Sequence, residues 1–119
     1  MQIRRDQLEA IGADLSARHR ARARDRVRLE FPEVCGRMSV EELTLAIDAA
    51  MEKAASYGIT AETDADRYID AAFAAGPGFD VSAEMPWAAA ILTRSDLSPG
   101  VKVELLHLAI ESVGRSRKA

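Results

Sequence analysis

The stretch SVEELTLAIDAAMEKAASYGI, residues 39–59, has the pattern of one helix with both ends marked. Ser39 and Glu42 match a capping box, in which each side chain accepts a hydrogen bond from the backbone N–H of the other residue. Gly58 stands where a helix ends in the left-handed conformation, and Ile59 can then fold back onto the last turn. Between these ends, apolar residues at helical spacing predict one buried face: Leu43, Ile47, Ala50, Met51 and Ala54.

Upstream, the stretch ARHRARARDRVRLEF, residues 17–31, places arginine at every second position from 18 to 28. In a strand this alternation would put every arginine on one side, whereas a helix, at about 100° per residue, divides them into two stripes. Alanine and arginine favour helix and Pro32 ends the pattern, which predicts a long helix over about residues 5–31. One stripe is Arg18, Arg22 and Arg26, the other is Arg20, Arg24 and Arg28, and between them run Leu8, Ile11, Leu15, His19, Ala23 and Val27.

Downstream of residue 59, the sequence predicts a third helix. Thr60 or Thr63 is its expected N-cap, because a threonine hydroxyl can accept a hydrogen bond from a free backbone N–H of the first turn. The motif GPG, residues 76–78, is expected to end it. Its predicted inner face consists of Ala65, Ile69, Ala72 and Phe73.

Two further helices are predicted in the last third of the chain. Pro86 suits the first position of a short helix, and we expect Trp87 and Phe79 to fill the core. Ser98 and Pro99 precede the last helix, whose apolar residues form two stripes, so that this helix is either central or half of an interface. The first stripe is Val101, Leu105, Leu108 and Ala109, and the second is Val103, Leu106, Ile110 and Val113.

These elements predict an all-α protein. The length of 119 residues fits one domain, residues 1–119, built as a bundle of about five helices with a long N-terminal helix. No segment has the pattern of a strand. The tail, about residues 114–119, has no apolar anchor and is expected to fray.

Composition narrows the functional classes. Residues 1–37 carry nine arginines against six acids, a charge of +3, and residues 38–119 carry seven basic residues against thirteen acids, a charge of −6. The opposite charges of the two parts can therefore pair within the protein, so the charge distribution does not require a polyanionic partner. No apolar run is long enough to span a bilayer, the N-terminus lacks the pattern of a secretory signal, and no membrane role is expected. These features predict a cytoplasmic protein.

No pattern of catalytic or metal-binding residues is present. His19 lies on an apolar stripe and His107 on the polar side of the last helix, and neither has a cysteine or second histidine at metal-ligand spacing. Cys35 is the only cysteine, which excludes an internal disulfide and favours a small buried side chain. We therefore predict no enzymatic activity, no metal and no cofactor. A packed or solvated imidazole is expected for both histidines.

The arginine stretch permits three interpretations. An arginine-rich helix can bind nucleic acid, but no aromatic residue interleaves this one and the domain as a whole is acidic. The arginines can instead pair with acids of the second and third predicted helices. They can also contact acidic groups of a protein partner, since one guanidinium group can donate two parallel hydrogen bonds to one carboxylate. The candidate partner-binding residues are Arg18, Arg20, Arg22, Arg24, Arg26 and Arg28.

The order of several short motifs resembles a family of small uncharacterised helical bacterial proteins. The segment FPEVCGRMSVEELTLAIDAAMEKAASYGITAETDADRYIDAAFAAGPGFD, followed by MPWAAAIL, has the family's succession of FP, S-x-E-E-L, YGI-T-x-E, G-x-x-FD and PW-x-x-x-IL. Most residues of these motifs have structural roles. They cap helices or fill the core: Ser39, Glu42, Gly58, Phe79, Pro86 and Trp87. His19 departs from the family, whose members have a bulky apolar residue there.

The resemblance also implies a functional context. Genes of this family lie among effector and spike genes of type VI secretion systems. The implied function is a protein-binding accessory, an adaptor or chaperone, whose partner is a secreted effector or spike component. An immunity protein that neutralises a cognate toxin is the first alternative, and a nucleic-acid-binding module built on the arginine helix is the second.

Overall fold

The protein is an all-α bundle, which confirms the predicted fold class. The computed structural model describes the backbone of residues 5–118 and the side chains of residues 17–112. Within this part, six α-helices and one 3-10 turn occur and no strand does. The helices are α1 (Arg5–Glu30), α2 (Pro32–Gly36), α3 (Val40–Ser56), α4 (Glu62–Ala75), α5 (Pro86–Leu92) and α6 (Pro99–Lys118), with the 3-10 turn at Phe79–Val81.

Helix α1 ends where the sequence predicts, and α2 is the helix that the sequence analysis missed. Pro32 stops α1 by forcing Phe31 out of the helical conformation, with φ −128° and ψ 59°. Its fixed φ then suits the first position of a new helix, so Pro32 also begins α2. The N-terminal part of the predicted apolar stripe, Leu8, Ile11 and Leu15, lies outside the residues whose side chains are described.

Both predicted ends of α3 are confirmed. The Ser39 hydroxyl accepts a hydrogen bond from the Glu42 N–H at 3.1 Å, and the Glu42 carboxylate accepts one from the Ser39 N–H at 3.2 Å. At the other end, Gly58 has φ +80°, its N–H donates to the Ala55 carbonyl, and the Ile59 N–H donates to the Ala54 carbonyl. This pair of bonds defines a Schellman motif.

The predicted threonine cap of α4 is wrong. Ala61 is the N-cap residue, and no side chain caps the helix. Glu62 and Asp64 lie in the first turn, where negative charge compensates the partial positive charge of the free N–H groups. The helix ends at Gly76, whose φ of +106° an L-residue rarely adopts.

One hydrophobic core joins α1–α6, with Cys35 as the contribution of α2. Ala23 and Val27 of α1 pack with residues of α3 and α4, and Phe79 is buried as predicted. Trp87 is only half-buried and packs against the edge of the core, whereas Tyr68, which the sequence analysis left out of the inner face, is buried. Pro86 is the first residue of α5, as predicted.

Helix α6 buries only one of its two apolar stripes. Val103 and Leu106 belong to the core, and Ile110 packs against it. In the other stripe Val101 is 40% exposed and Leu108 52% exposed, whereas Leu105 and Ala109 are half-buried. Backbone helix continues to Lys118, but side chains beyond Ser112 lie outside the described part, so the frayed tail stays a prediction.

Candidate functional site

One stripe of arginines faces the acids of α4. Arg22 contacts the Glu62 carboxylate at 2.6 Å. Arg26 donates to Asp70 Oδ1 at 2.9 Å and lies 3.2 Å from Asp66 Oδ1. Burial opposes the charge of Arg26, but its hydrogen bonds and charge interactions with Asp70 and Asp66 raise the pKa of its guanidinium above the usual value.

The second stripe of arginines lies along α3. Arg20 Nε is 3.3 Å from Asp48 Oδ1, and Arg24 donates to the Thr44 hydroxyl at 3.3 Å. Arg18 and Arg28, at the two ends of the stretch, are exposed. Arg20, Arg22 and Arg26 therefore pair with acids of α3 and α4, which is the pairing between helices that the charge distribution allowed.

His19 has a polar partner that the sequence analysis did not anticipate. The side chain is buried between the two arginine stripes at 7% exposure, and its Nε2 lies 2.6 Å from Asp66 Oδ1. Asp66 also contacts Arg26, so the imidazole belongs to a polar cluster between α1 and α4. An apolar residue at position 19 would leave Asp66 without this hydrogen-bond partner.

A second polar cluster surrounds the buried Asp80. This carboxylate is 1% exposed, its Oδ2 accepts a hydrogen bond from the Tyr57 hydroxyl at 2.8 Å, and the same oxygen forms an ion pair with Lys53 Nζ at 3.2 Å. Burial, together with the hydrogen bond and the charge of Asp80, raises the pKa of Tyr57 to about 12. Lys102 Nζ donates to the Tyr57 carbonyl at 3.1 Å. Sequence reasoning missed this cluster, and its only signal was that Tyr57 and Asp80 lie in the YGI and FD motifs.

A cavity of about 180 Å³ opens between α3 and α4 beside this cluster. Its lining is almost entirely apolar. Phe73, which stacks on Phe31 with ring centroids 6.0 Å apart, forms part of the wall. Lys53 is the charged residue of the lining, and its side chain is half exposed. The cavity therefore combines an apolar interior with one ammonium group.

The other candidate reactive groups have structural environments. Cys35 is buried, its thiol donates to the Val27 carbonyl, and burial raises its pKa. His107 pairs with Glu111 on the exposed side of α6. Within the part of the chain that the structure describes, no group of three histidine, cysteine or acidic side chains could hold a metal ion. Over the same residues, none of the helices has the length and hydropathy needed to cross a membrane.

Comparisons with known proteins do not extend this description. A scan against protein-family models, a search of curated proteins and a search of solved structures found no match.

Proposed function

We propose that this protein is a non-enzymatic accessory, an adaptor or chaperone, that binds an effector or spike component of a type VI secretion system. The observation that carries the protein-binding role is the outward stripe of α6, Val101, Leu105 and Leu108. In this stripe Val101 and Leu108 are exposed and Leu105 is half-buried, although the helix already packs on the bundle through its other side. The motif resemblance supports the choice of partner.

The spacing of this stripe suits recognition by a protein. Single exposed aliphatic residues are common on protein surfaces. Residues at positions i, i+4 and i+7, however, lie in line on one face of a helix, which is how a helix presents anchors to a groove of a partner. Glu104 and Glu111 are exposed on the same helix and supply the polar rim that such interfaces have.

The contacts of the arginines favour a protein partner over nucleic acid. Binding to phosphates would require Arg22 and Arg26 to leave Glu62, Asp66 and Asp70, whose charges would then repel the polyanion. All six arginines remain candidate partner contacts, and Arg20, Arg22 and Arg26 would have to exchange their present acids for those of the partner.

The test is co-purification with candidate type VI effector and spike proteins from the same genome, each co-expressed with the tagged protein. The variant Val101→Asp/Leu108→Asp should lose the partner. The matched control Val40→Asp/Leu45→Asp changes two aliphatic residues of α3 that are 53% and 67% exposed, and it should retain the partner. Circular dichroism checks that both variants fold.

Two results would contradict the proposal. One is that none of these gene products co-purifies with the parent protein. The other is that both double variants bind as the parent does, which would exclude the α6 stripe. Rescue of cells from a toxic effector is measured in parallel, because neutralisation of toxicity would identify an immunity protein in place of an adaptor.

A further inference from the structure

The cavity between α3 and α4 has the size of a binding site for a compact apolar group. Its volume is about 180 Å³, and an engineered apolar cavity of about 150 Å³ in another protein stays dry and binds benzene. Ala46, Ala49 and Ala50 form the α3 wall, and Ala72 and Phe73 form the α4 wall. Short side chains facing each other leave space that larger residues would fill, and protein interiors rarely keep such space.

Lys53 is the charged group that a ligand of this cavity can contact, although Asp80 offsets part of its charge. Its ammonium carries three protons and forms an ion pair with Asp80 Oδ2. The Tyr57 hydroxyl donates to the same oxygen, so Asp80 is held in place from two sides. Lys53 is therefore anchored beside the cavity, and its half-exposed side chain leaves the ammonium accessible to a second acceptor.

We infer that this cavity binds a small carboxylic acid whose apolar part is a single ring or a short branched chain. The apolar part lies between α3 and α4, and the carboxylate accepts a hydrogen bond from Lys53 Nζ. Concave apolar surfaces with one well-placed charged group are the usual form of small-molecule sites. This site is independent of the protein-binding role proposed for α6, because Val101, Leu105 and Leu108 are not part of the cavity lining.

The experiment is a titration of the ¹⁵N-labelled protein with 3-phenylpropionate, followed by two-dimensional NMR. Two ligands of matched shape, 3-phenylpropan-1-ol and 3-phenylpropylamine, replace the carboxylate by a neutral and a cationic group. Amide signals of residues 46–53 and 68–73 should shift in a saturable way. The carboxylate should bind about tenfold more tightly than the alcohol, because a charge-assisted hydrogen bond is stronger than a neutral one, and the amine should bind most weakly.

Three variants locate the site. Lys53→Met keeps the apolar stem and should make the carboxylate and the alcohol bind alike, whereas Lys53→Arg keeps the charge and should keep the preference. Ala46→Leu fills the cavity and should abolish binding of all three ligands. Ala55→Leu is its matched control, since Ala55 is an exposed alanine of the same helix outside this cavity, and it should bind as the parent does.

The inference is overturned by any of three results: no saturable shifts, equal affinity of the parent for the carboxylate and the alcohol, or unchanged binding by Ala46→Leu. Lys53→Arg keeps a positive charge, and Ala55→Leu keeps the cavity. Circular dichroism would reveal a general loss of folding in Lys53→Met. The comparison of the three ligands on the parent protein tests the charge preference without any variant.

Discussion

Replacing Gly58 by alanine should destabilise the protein through backbone conformation alone. Gly58 has φ +80°, and a side-chain carbon built at this position meets no atom within 4 Å, so steric contact with neighbours contributes nothing. An L-residue in the left-handed region costs about 1–2 kcal/mol relative to glycine. For 119 residues, a loss of about 1 kcal/mol corresponds to a decrease of about 4 °C in Tm.

The matched control is Gly36→Ala at the end of α2. No atom lies within 4 Å of a side-chain carbon built at Gly36 either, but its φ is not in the left-handed region. This variant should leave the free energy of unfolding unchanged or raise it by up to about 1 kcal/mol, because alanine reduces the entropy of the unfolded chain. Gly58→Asn should fall between Gly58→Ala and the parent, since asparagine tolerates the left-handed conformation.

Urea denaturation and thermal unfolding followed by circular dichroism measure these differences. If Gly58→Ala is as stable as Gly36→Ala, the left-handed end of α3 does not contribute to stability and the Schellman motif is refuted as the reason for glycine here. A loss in Gly58→Ala without the smaller loss in Gly58→Asn would show that a factor other than φ is responsible.

Three further predictions concern the polar contacts. His19→Leu should lower the free energy of unfolding by about 1–2 kcal/mol, because it removes a donor from Asp66, and urea titration that finds equal or higher stability would contradict this. Arg26→Ala should lower Tm more than Arg20→Ala, since the side chain of Arg26 is less exposed and contacts two carboxylates, whereas Arg20 contacts one. Equal changes in Tm would contradict a stabilising role of the polar cluster between α1 and α4. The pKa of Tyr57 is raised to about 12 in the folded protein, whereas a tyrosine in the unfolded chain has a pKa of about 10. The stability that the protonated Tyr57 hydroxyl contributes is therefore fully present below pH 10 and is lost as the pH rises through 12. Tyr57→Phe should therefore reduce the alkaline loss of stability, measured by urea unfolding across this pH range, and an identical pH dependence would refute the assignment.

The local features of the fold could be predicted because they depend on residues close in sequence. The capping box of α3 joins residues three apart, and its Schellman motif lies within the last turn. The division of the arginines into two stripes follows from the helical repeat alone. The threonine cap of α4 failed although it too was a local prediction, because two threonines fitted the pattern and the helix begins between them, after Ala61.

The contacts that define the candidate sites were decided by the docking of distant helices. His19 meets Asp66 across 47 residues of sequence, and Tyr57 meets Asp80 across 23. A histidine on an apolar stripe has the same local pattern whether or not a carboxylate faces it, so periodicity could not reveal this pair. The cavity beside Lys53 likewise depends on how closely α3 and α4 approach.

The sequence by itself determined that the chain is helical, where α1 and α3 end, and that α6 carries two apolar stripes, because backbone hydrogen bonds and side-chain spacing within a helix are local. Only the tertiary structure decided that Val103 and Leu106 enter the core while Val101 and Leu108 face outward. Both stripes have similar hydrophobicity, and the side that is buried depends on where α4 and α5 lie. That position follows from the packing of the whole bundle, which no local pattern encodes.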